Sequence, residues 1–259
     1  MAIFSGFLKG WQVATGFGID IGGSGIKGAY VDLETGDFVG ERLRIKTPKP
    51  STPDAVAKIC QEIIEAKEVP AEMPVGVTIP GPVKDDVVSF IANLDQAWAG
   101  VDARVLMRKY TGHIAKCVND ADAAGYAEVH FGAAKDVPGL VIVTTLGTGI
   151  GTALIYNGVL VPNCELGHVE LDGHDAESRA SSGVKSKEKL SYKKWAKRLQ
   201  KYYSHLEMLF SPDLFVVGGG VSKDHAKFLP LLDLKTPIIP AQLLNQAGIV
   251  GAAALAAGV

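Results

Sequence analysis

Cysteine is scarce in this chain of 259 residues: Cys60, Cys117 and Cys164 are the whole complement, and no two form a CxxC pair. An odd, sparse count argues against a disulfide framework and a cysteine-built zinc site, and predicts a reducing, cytoplasmic setting. Long apolar runs are also missing. No stretch reaches the ~18 residues of a membrane span, so no membrane partner is expected. Residues 1–11 lack the basic flank and long apolar core of a signal peptide. Nor is there an excess of one charge. Lys plus Arg is 26 and Asp plus Glu is 28, a net of −2, which excludes a globally basic nucleic-acid binder. With 47% hydrophobic and 21% charged residues, disorder is excluded as well. What is plentiful is glycine, 30 residues, an excess that predicts tight turns or close backbone approach to a ligand.

At roughly 100–200 residues per domain, the length suits one large domain or two small ones. Residues 17–21, 26–33 and 38–45 read as a strand meander, turning at Glu34-Thr35-Gly36-Asp37. Thr52 reads as an N-cap with Pro53 first in a helix that buries Val56, Ile59, Cys60, Ile63 and Ile64. A buried strand spans 75–79. Residues 102–110 read as helix, 114–118 as strand and 120–131 as helix. From 140 the pattern restarts: strand 140–146, a glycine turn at 147–151, strand 152–156, then Asn157-Gly158 as a hairpin turn into 159–161. A long helix over 192–210, a strand over 214–217 and a small-residue helix over 249–256 follow. A glycine-bearing meander thus occurs twice, predicting two α/β lobes with a cleft between them.

Several clusters can carry chemistry. In Gly18-Ile-Asp20-Ile-Gly22-Gly23-Ser24-Gly25-Ile-Lys27 a carboxylate at a strand end adjoins a glycine hairpin. Backbone N–H groups there can approach phosphate, Asp20 can hold a hydrated Mg²⁺, and Lys27 can offset phosphate charge. Gly23-Ser-Gly25-Ile-Lys-Gly28 matches GxGxxG, but a dinucleotide fingerprint must open a helix and this one opens a strand. Thr148 and Gly149 stand in a second glycine loop. Asn119 and Asp120 lie at a strand-to-helix junction, where a carboxylate can take a proton from a substrate hydroxyl. A plain N-cap is the competing reading. Asp122 competes for the base role but points elsewhere. Glu165 and His168 can converge on a small polar ligand, or His168 can be structural. Gly218, Gly219 and Gly220 end a buried strand and suit a nucleotide packed on backbone, or form only a turn. Finally, residues 179–201 hold nine Lys or Arg against one acid, Glu188. Lys185, Lys193, Lys194, Lys197, Arg198 and Lys201 within it form either a track for a polyanion or the solvated face of a helix.

In this order, and over nearly the whole chain, these motifs resemble the ROK-family sugar kinases. Within that family they are most similar to the group that uses inorganic polyphosphate, the polyphosphate glucokinases and polyphosphate/ATP glucomannokinases. The resemblance implies a two-lobed actin/hexokinase-like (ribonuclease H-like) ATPase fold with a central cleft. Residues 12–118 with a C-terminal helix at 247–259 form its smaller lobe, and 119–246 the larger. It implies phosphorylation of the 6-hydroxyl of glucose, with mannose left open, by polyphosphate or ATP. Asp120 is then the catalytic base, and Asn93, Asn119, Glu165, His168 and Glu177 bind sugar hydroxyls. Asp20 places Mg²⁺, with Gly22, Gly23, Ser24, Gly25 and Lys27 around the phosphates and Thr148 and Gly149 opposite. Gly218, Gly219 and Gly220 match the adenosine-side motif. The family also implies a homodimer.

Most ROK kinases carry a cysteine-rich zinc motif after Gly-His. Here residues 169–178 hold no cysteine, so zinc is not expected and His168 is freed for sugar contact. ROK repressors carry a DNA-binding domain ahead of the kinase core, which the 17 residues before Gly18 are too few to form. A strictly ATP-dependent glucokinase, a non-catalytic sugar sensor and an actin-like structural protein remain as alternatives.

Overall fold

The computed structural model describes residues 14–259, so residues 1–11 and the expected lobe start at 12 lie outside the described residues. The first half opens with the expected meander: β1 (Thr15–Gly22), β2 (Gly25–Asp32) and β3 (Phe38–Ile45). α1 (Pro53–Ala66) follows, its first turn closed by Thr52, whose Oγ1 accepts the Ala55 N–H. Pro53 sits where its missing N–H costs nothing. Val56, Cys60, Ile63 and Ile64 are buried at helical spacing, while Ile59 is only partly covered. Then come β4 (Val75–Ile79), the short hairpin β5 (Val83–Lys84) with β6 (Val87–Val88), α2 (Ala103–Thr111) and β7 (Ala115–Asn119). Ile114 falls outside β7: the ladder to β4 starts at Val75↔Ala115, leaving the Ile114 side chain exposed.

The second half runs α3 (Asp120–His130), β8 (Leu140–Leu146), β9 (Ile150–Tyr156), β10 (Val159–Val161), β11 (Glu170–Leu171), β12 (His174–Asp175), α4 (Glu177–Ala180), α5 (Ser182–Lys187), α6 (Tyr192–Phe210), β13 (Leu214–Gly218), β14 (Ile238–Pro240) and α7 (Ala247–Ala257). β9 starts earlier than expected because Gly151 and Ile150 still pair with Thr145 and Leu146. The glycine turn shrinks accordingly.

The two five-stranded sheets repeat one topology. The first is ordered β3-β2-β1-β4-β7 and the second β10-β9-β8-β13-β14. Each is an antiparallel meander extended by two parallel strands. α3 packs on β8 and β9, α7 packs on β1 and β4, and the two helices pack on each other. Close backbone approach explains why α7 is built of small residues. A Cβ on Gly76 would lie 1.9 Å from the Ala252 carbonyl oxygen, and one on Gly251 would lie 1.8 Å from that of Ala123. Backbone cannot yield as a side chain can, so only glycine fits at these crossings.

Each sheet has its own apolar core, and each core holds a fully buried tryptophan. Neither indole N–H is orphaned: Trp98 donates to the Ser51 carbonyl at 3.0 Å and Trp195 to that of Ala180 at 2.8 Å. Among the described residues no helix is long and apolar enough to cross a membrane.

Candidate active site

The site forms where the β7–α3 junction meets the two glycine loops. β7 ends at Asn119, whose side-chain oxygen accepts the N–H groups of Ala121 (2.8 Å) and Asp122 (3.1 Å). Asn119 is therefore the N-cap of α3, and its amide N–H groups are left for the cleft. Asp120 takes the first helical position, where its Oδ1 accepts the Ala121 N–H at 2.8 Å. Water reaches Asp120 from the cleft, although protein surrounds it closely. Desolvation and the charges of Asp20 and Glu165 push its pKa up to about 7, against the pull of the Ala121 N–H.

One cavity of about 340 Å³ brings together Asn93, Asn119, Asp120, Glu165, His168 and Glu177, with Thr148 and Gly149 on its wall. Every residue expected to face a sugar lines it. Glu177 is fixed through its Oε2, which accepts the Ile150 N–H at 2.7 Å. Burial raises the pKa of Glu165, an effect that nearby His168 opposes and Glu177 adds to.

A second cavity of about 260 Å³ is lined by Asp20, Lys27, Gly218, Gly219 and Gly248. Asp120 and Thr145 line both cavities and are therefore their shared wall. Asp20 and Lys27 are register partners across β1 and β2, and their side chains form an ion pair of 2.7 Å. Gly219 adopts a φ of +81°, and a Cβ there would come within 2.4 Å of the Leu146 carbonyl oxygen. That close approach explains the glycine without a ligand.

Gly22, Gly23, Ser24, Gly25 and Gly220 are not on the wall of either cavity. The β1–β2 tip does abut the first cavity: a Cβ on Gly23 would lie 3.0 Å from the Asn93 carbonyl oxygen. Asp122 points away, as expected. Its Oδ2 accepts the Asn163 N–H at 2.8 Å, and desolvation pushes its pKa up to about 7.

The basic segment divides. Arg179, Lys197, Arg198 and Lys201 line a separate cavity of about 260 Å³, which shares no lining residue with the two cleft cavities. Arg198 pairs with Glu188 at 2.6 Å and Lys201 with Asp172 at 2.5 Å. Lys185 instead lies over the Tyr192 ring, 4.1 Å from its centroid. Lys193 and Lys194 are exposed and do not line that cavity.

Sequence reasoning missed several supports. Thr78 donates its hydroxyl to Asp20 Oδ1 at 3.0 Å. Glu128, on the wall of the second cavity, accepts the N–H groups of Gln242 (3.1 Å) and Leu243 (2.7 Å). Asn163 brackets Val83, accepting its N–H at 2.8 Å and donating to its carbonyl at 3.0 Å. Asp175 contacts His168. None of these has a local sequence signal, because each partner belongs to another element.

Among the described residues no cluster of three or more His, Cys, Asp or Glu is placed to hold a metal. Asp20 is one of three carboxylates on the wall of the second cavity, with Asp120 and Glu128, and its two oxygens meet Lys27 and Thr78. That suits Mg²⁺, which keeps several waters and is commonly bound through one or two carboxylates plus substrate phosphates. The arrangement is thus two joined cavities with a carboxylate of raised pKa at the junction. One is ringed by hydrogen-bonding side chains and the other carries a lysine and glycine backbone. It can hold a polyol and a phosphate chain on either side of a proton acceptor.

The ROK family model matches residues 16–186. A polyphosphate glucokinase from Mycobacterium tuberculosis is 50% identical over 239 residues, covering 92% of this chain and 89% of that protein. The crystal structure of an inorganic polyphosphate/ATP-glucomannokinase from Arthrobacter sp. strain KM superposes with a TM-score of 0.89 at 50% identity, covering 94% of this chain and 98% of the other. A ROK family glucokinase from Streptomyces griseus, in complex with glucose and AMPPNP, superposes with a TM-score of 0.80. It covers 95% of this chain and 100% of the other, and at 24% identity the likeness is one of fold. Its two like sheets, the cleft between them and these matches over most of its length make this chain a member of the ROK family.

Proposed function

We propose that this protein is a sugar kinase that transfers a phosphoryl group from inorganic polyphosphate or ATP to the 6-hydroxyl of glucose, with Asp120 as general base. The observation that carries this reading is the position of Asp120 on the shared wall of the two cavities. Glucose occupies the first cavity, its hydroxyls bonded by Asn93, Asn119, Glu165, His168 and Glu177. Buried polar partners of this kind reject sugars that lack the matching hydroxyl. The 50% identity to proteins named as polyphosphate glucokinase and polyphosphate/ATP-glucomannokinase supports the choice of sugar and donor.

As the 6-oxygen forms its bond to the terminal phosphorus, its proton passes to Asp120. The bridging P–O bond breaks, leaving a shortened polyphosphate or ADP. Lys27 and the glycine backbone on the cavity walls, at Gly218 and Gly219 and at Gly147 and Gly149, stabilise negative charge on the transferred group, where most of the catalysis lies. Mg²⁺ at Asp20, when bound with the donor, neutralises phosphate charge. The two expected lobes close over the substrates and exclude water as a competing acceptor. The scarcity of cysteine supports a cytoplasmic setting, and the homodimer implied by family resemblance belongs to the same reading.

With Arg198 and Lys201 in ion pairs, Lys197 and Arg179 are the cations of the separate basic cavity with no ion-pair partner among the described residues, and Arg179 instead meets His174 Nε2 at 2.7 Å. A long polyphosphate can occupy that cavity and the cleft together, whereas ATP is too short to contribute a comparable run of phosphates. The test is product identity: glucose incubated with each donor and Mg²⁺, then assayed with a dehydrogenase specific for the 6-phosphate. A 1-phosphate, or no phosphorylated sugar, would overturn the reading.

A further inference from the structure

His168 ends a short helical turn, and the chain leaves it as the small β11–β12 hairpin. The hairpin register pairs Glu170 with Asp175 and Leu171 with His174. Its tip bends through Asp172 (φ +53°) and Gly173 (φ +73°), so the strand returns alongside its own start. The return brings Asp175 Oδ2 to 2.7 Å from His168 Nδ1. The other oxygen, Oδ1, accepts the Ser178 N–H at 3.1 Å, in the first turn of α4. α4 begins with Glu177, which lines the sugar-side cavity, and its end is held from behind by the Trp195 indole on the Ala180 carbonyl. One carboxylate therefore grips the wall residue His168 through one oxygen and, through the other, Ser178, the neighbour of the wall residue Glu177, without lining the cavity itself.

We propose that Asp175 is a positioning residue for sugar recognition: Oδ2 fixes the His168 ring so that Nε2 serves the cavity, and Oδ1 holds the turn that carries Glu177. This rests on the sugar-kinase reading of the cleft. An imidazole has two nitrogens, and a partner on one sets the ring orientation and the proton state of the other. A carboxylate on Nδ1 keeps the proton there. Nε2 then accepts from a sugar hydroxyl when the ring is neutral and donates when it is charged. The charged groups facing the ring are Asp175, Glu177 and Glu165, all acidic. The Asp175 hydrogen bond is the largest influence and raises the histidine pKa, desolvation opposes it, and the remaining acidic charge adds to the rise.

Asp175→Asn is nearly isosteric and can still accept the Ser178 N–H, but it presents an amide N–H to Nδ1 and so favours the opposite tautomer. The expected result is a rise in glucose KM of about 10-fold, the effect of losing an orienting partner on a functional histidine. The donor KM should be unchanged and kcat nearly so. The His168 ring, followed by NMR titration, should show a lower pKa, and Asp175→Glu should recover part of both effects. Unchanged glucose KM and unchanged His168 titration in folded Asp175→Asn overturn the proposal. So does an equal loss in glucose KM, donor KM and melting temperature, which marks a structural role only. The NMR titration needs no turnover. A His168 shift in a protein that phosphorylates no sugar therefore isolates failure of the kinase reading from failure of the Asp175 contact.

Discussion

The Lys27 ammonium lies 2.7 Å from the Asp20 carboxylate, because antiparallel pairing of β1 and β2 sets the two residues directly opposite each other. Thr78 on β4 donates to the other Asp20 oxygen at 3.0 Å. The cation is thus held on the wall of the second cavity by a strand ladder. Removing one well-placed stabiliser of developing charge costs about 10²–10³ in turnover. Lys27→Ala should lose that much kcat with either donor while glucose binding, read by calorimetry, stays within a few-fold. A loss under 10-fold would remove Lys27 from the transfer step.

Asp120 gives the pH dependence. A base must be ionised to accept a proton, and its pKa is pushed up to about 7. The kcat/KM profile should therefore fall below about pH 7, and an acid limb near the ordinary carboxylate value of about 4 would contradict the assignment. Asp120→Asn should lower turnover by about 10²–10⁴ with glucose binding retained.

The same shift has a stability sign. The folded pKa lies above the unfolded one, so the neutral form is favoured by folding. The associated stability is present below the unfolded pKa and is lost as pH rises through the folded value. Asp120→Asn should therefore melt above the unsubstituted protein at pH 8, with the difference shrinking towards pH 4. Thermal melts at both pH values check this, and a constant difference would count against the raised pKa.

Asn163 joins the two halves. It brackets Val83 with two hydrogen bonds, gives its own N–H to Asp122, and precedes Glu165 by two residues. Its φ of +60° is one that asparagine tolerates better than alanine. Asn163→Ala should cost about 1–3 kcal/mol, since two buried backbone partners lose their bonds and the backbone is strained. Glucose KM should rise with it, because the loop carrying Glu165 loosens. Denaturant melts and glucose titrations measure both, and an unchanged glucose KM would separate the tie from the site.

Lys197 tests donor length. Electrostatic binding of a polyanion weakens with salt in proportion to the contacts made. Lys197→Ala should raise the KM for long polyphosphate and flatten its salt dependence while leaving ATP kinetics alone. Equal effects on both donors would mean that the basic cavity does not hold the polyphosphate chain.

Much of this was legible in the sequence, and the reason is physical. The meanders, the Thr52–Pro53 helix start, the Asn157-Gly158 turn and the bounds of α6 all depend on signals within a few residues. The wall residues Asn93, Asn119, Glu165, His168 and Glu177 were legible through family resemblance, not spacing. The supports were not legible. Glu128 meets Gln242 and Leu243 more than a hundred positions away, and Thr78 reaches Asp20 from another strand. Asp175 meets His168 only because two residues of left-handed backbone turn a minimal hairpin. The division of the basic segment was equally hidden, since helical periodicity does not reveal that Lys185 stacks on Tyr192.

The most direct measurement is the initial rate of glucose 6-phosphate formation with Mg²⁺ and either polyphosphate or ATP as sole donor, beside a control without glucose. Glucose-dependent formation with at least one donor, polyphosphate matching or exceeding ATP, is the expected result. No glucose 6-phosphate from either donor, in a protein that still binds glucose, would contradict the assignment of Asp120 and its two cavities to phosphoryl transfer.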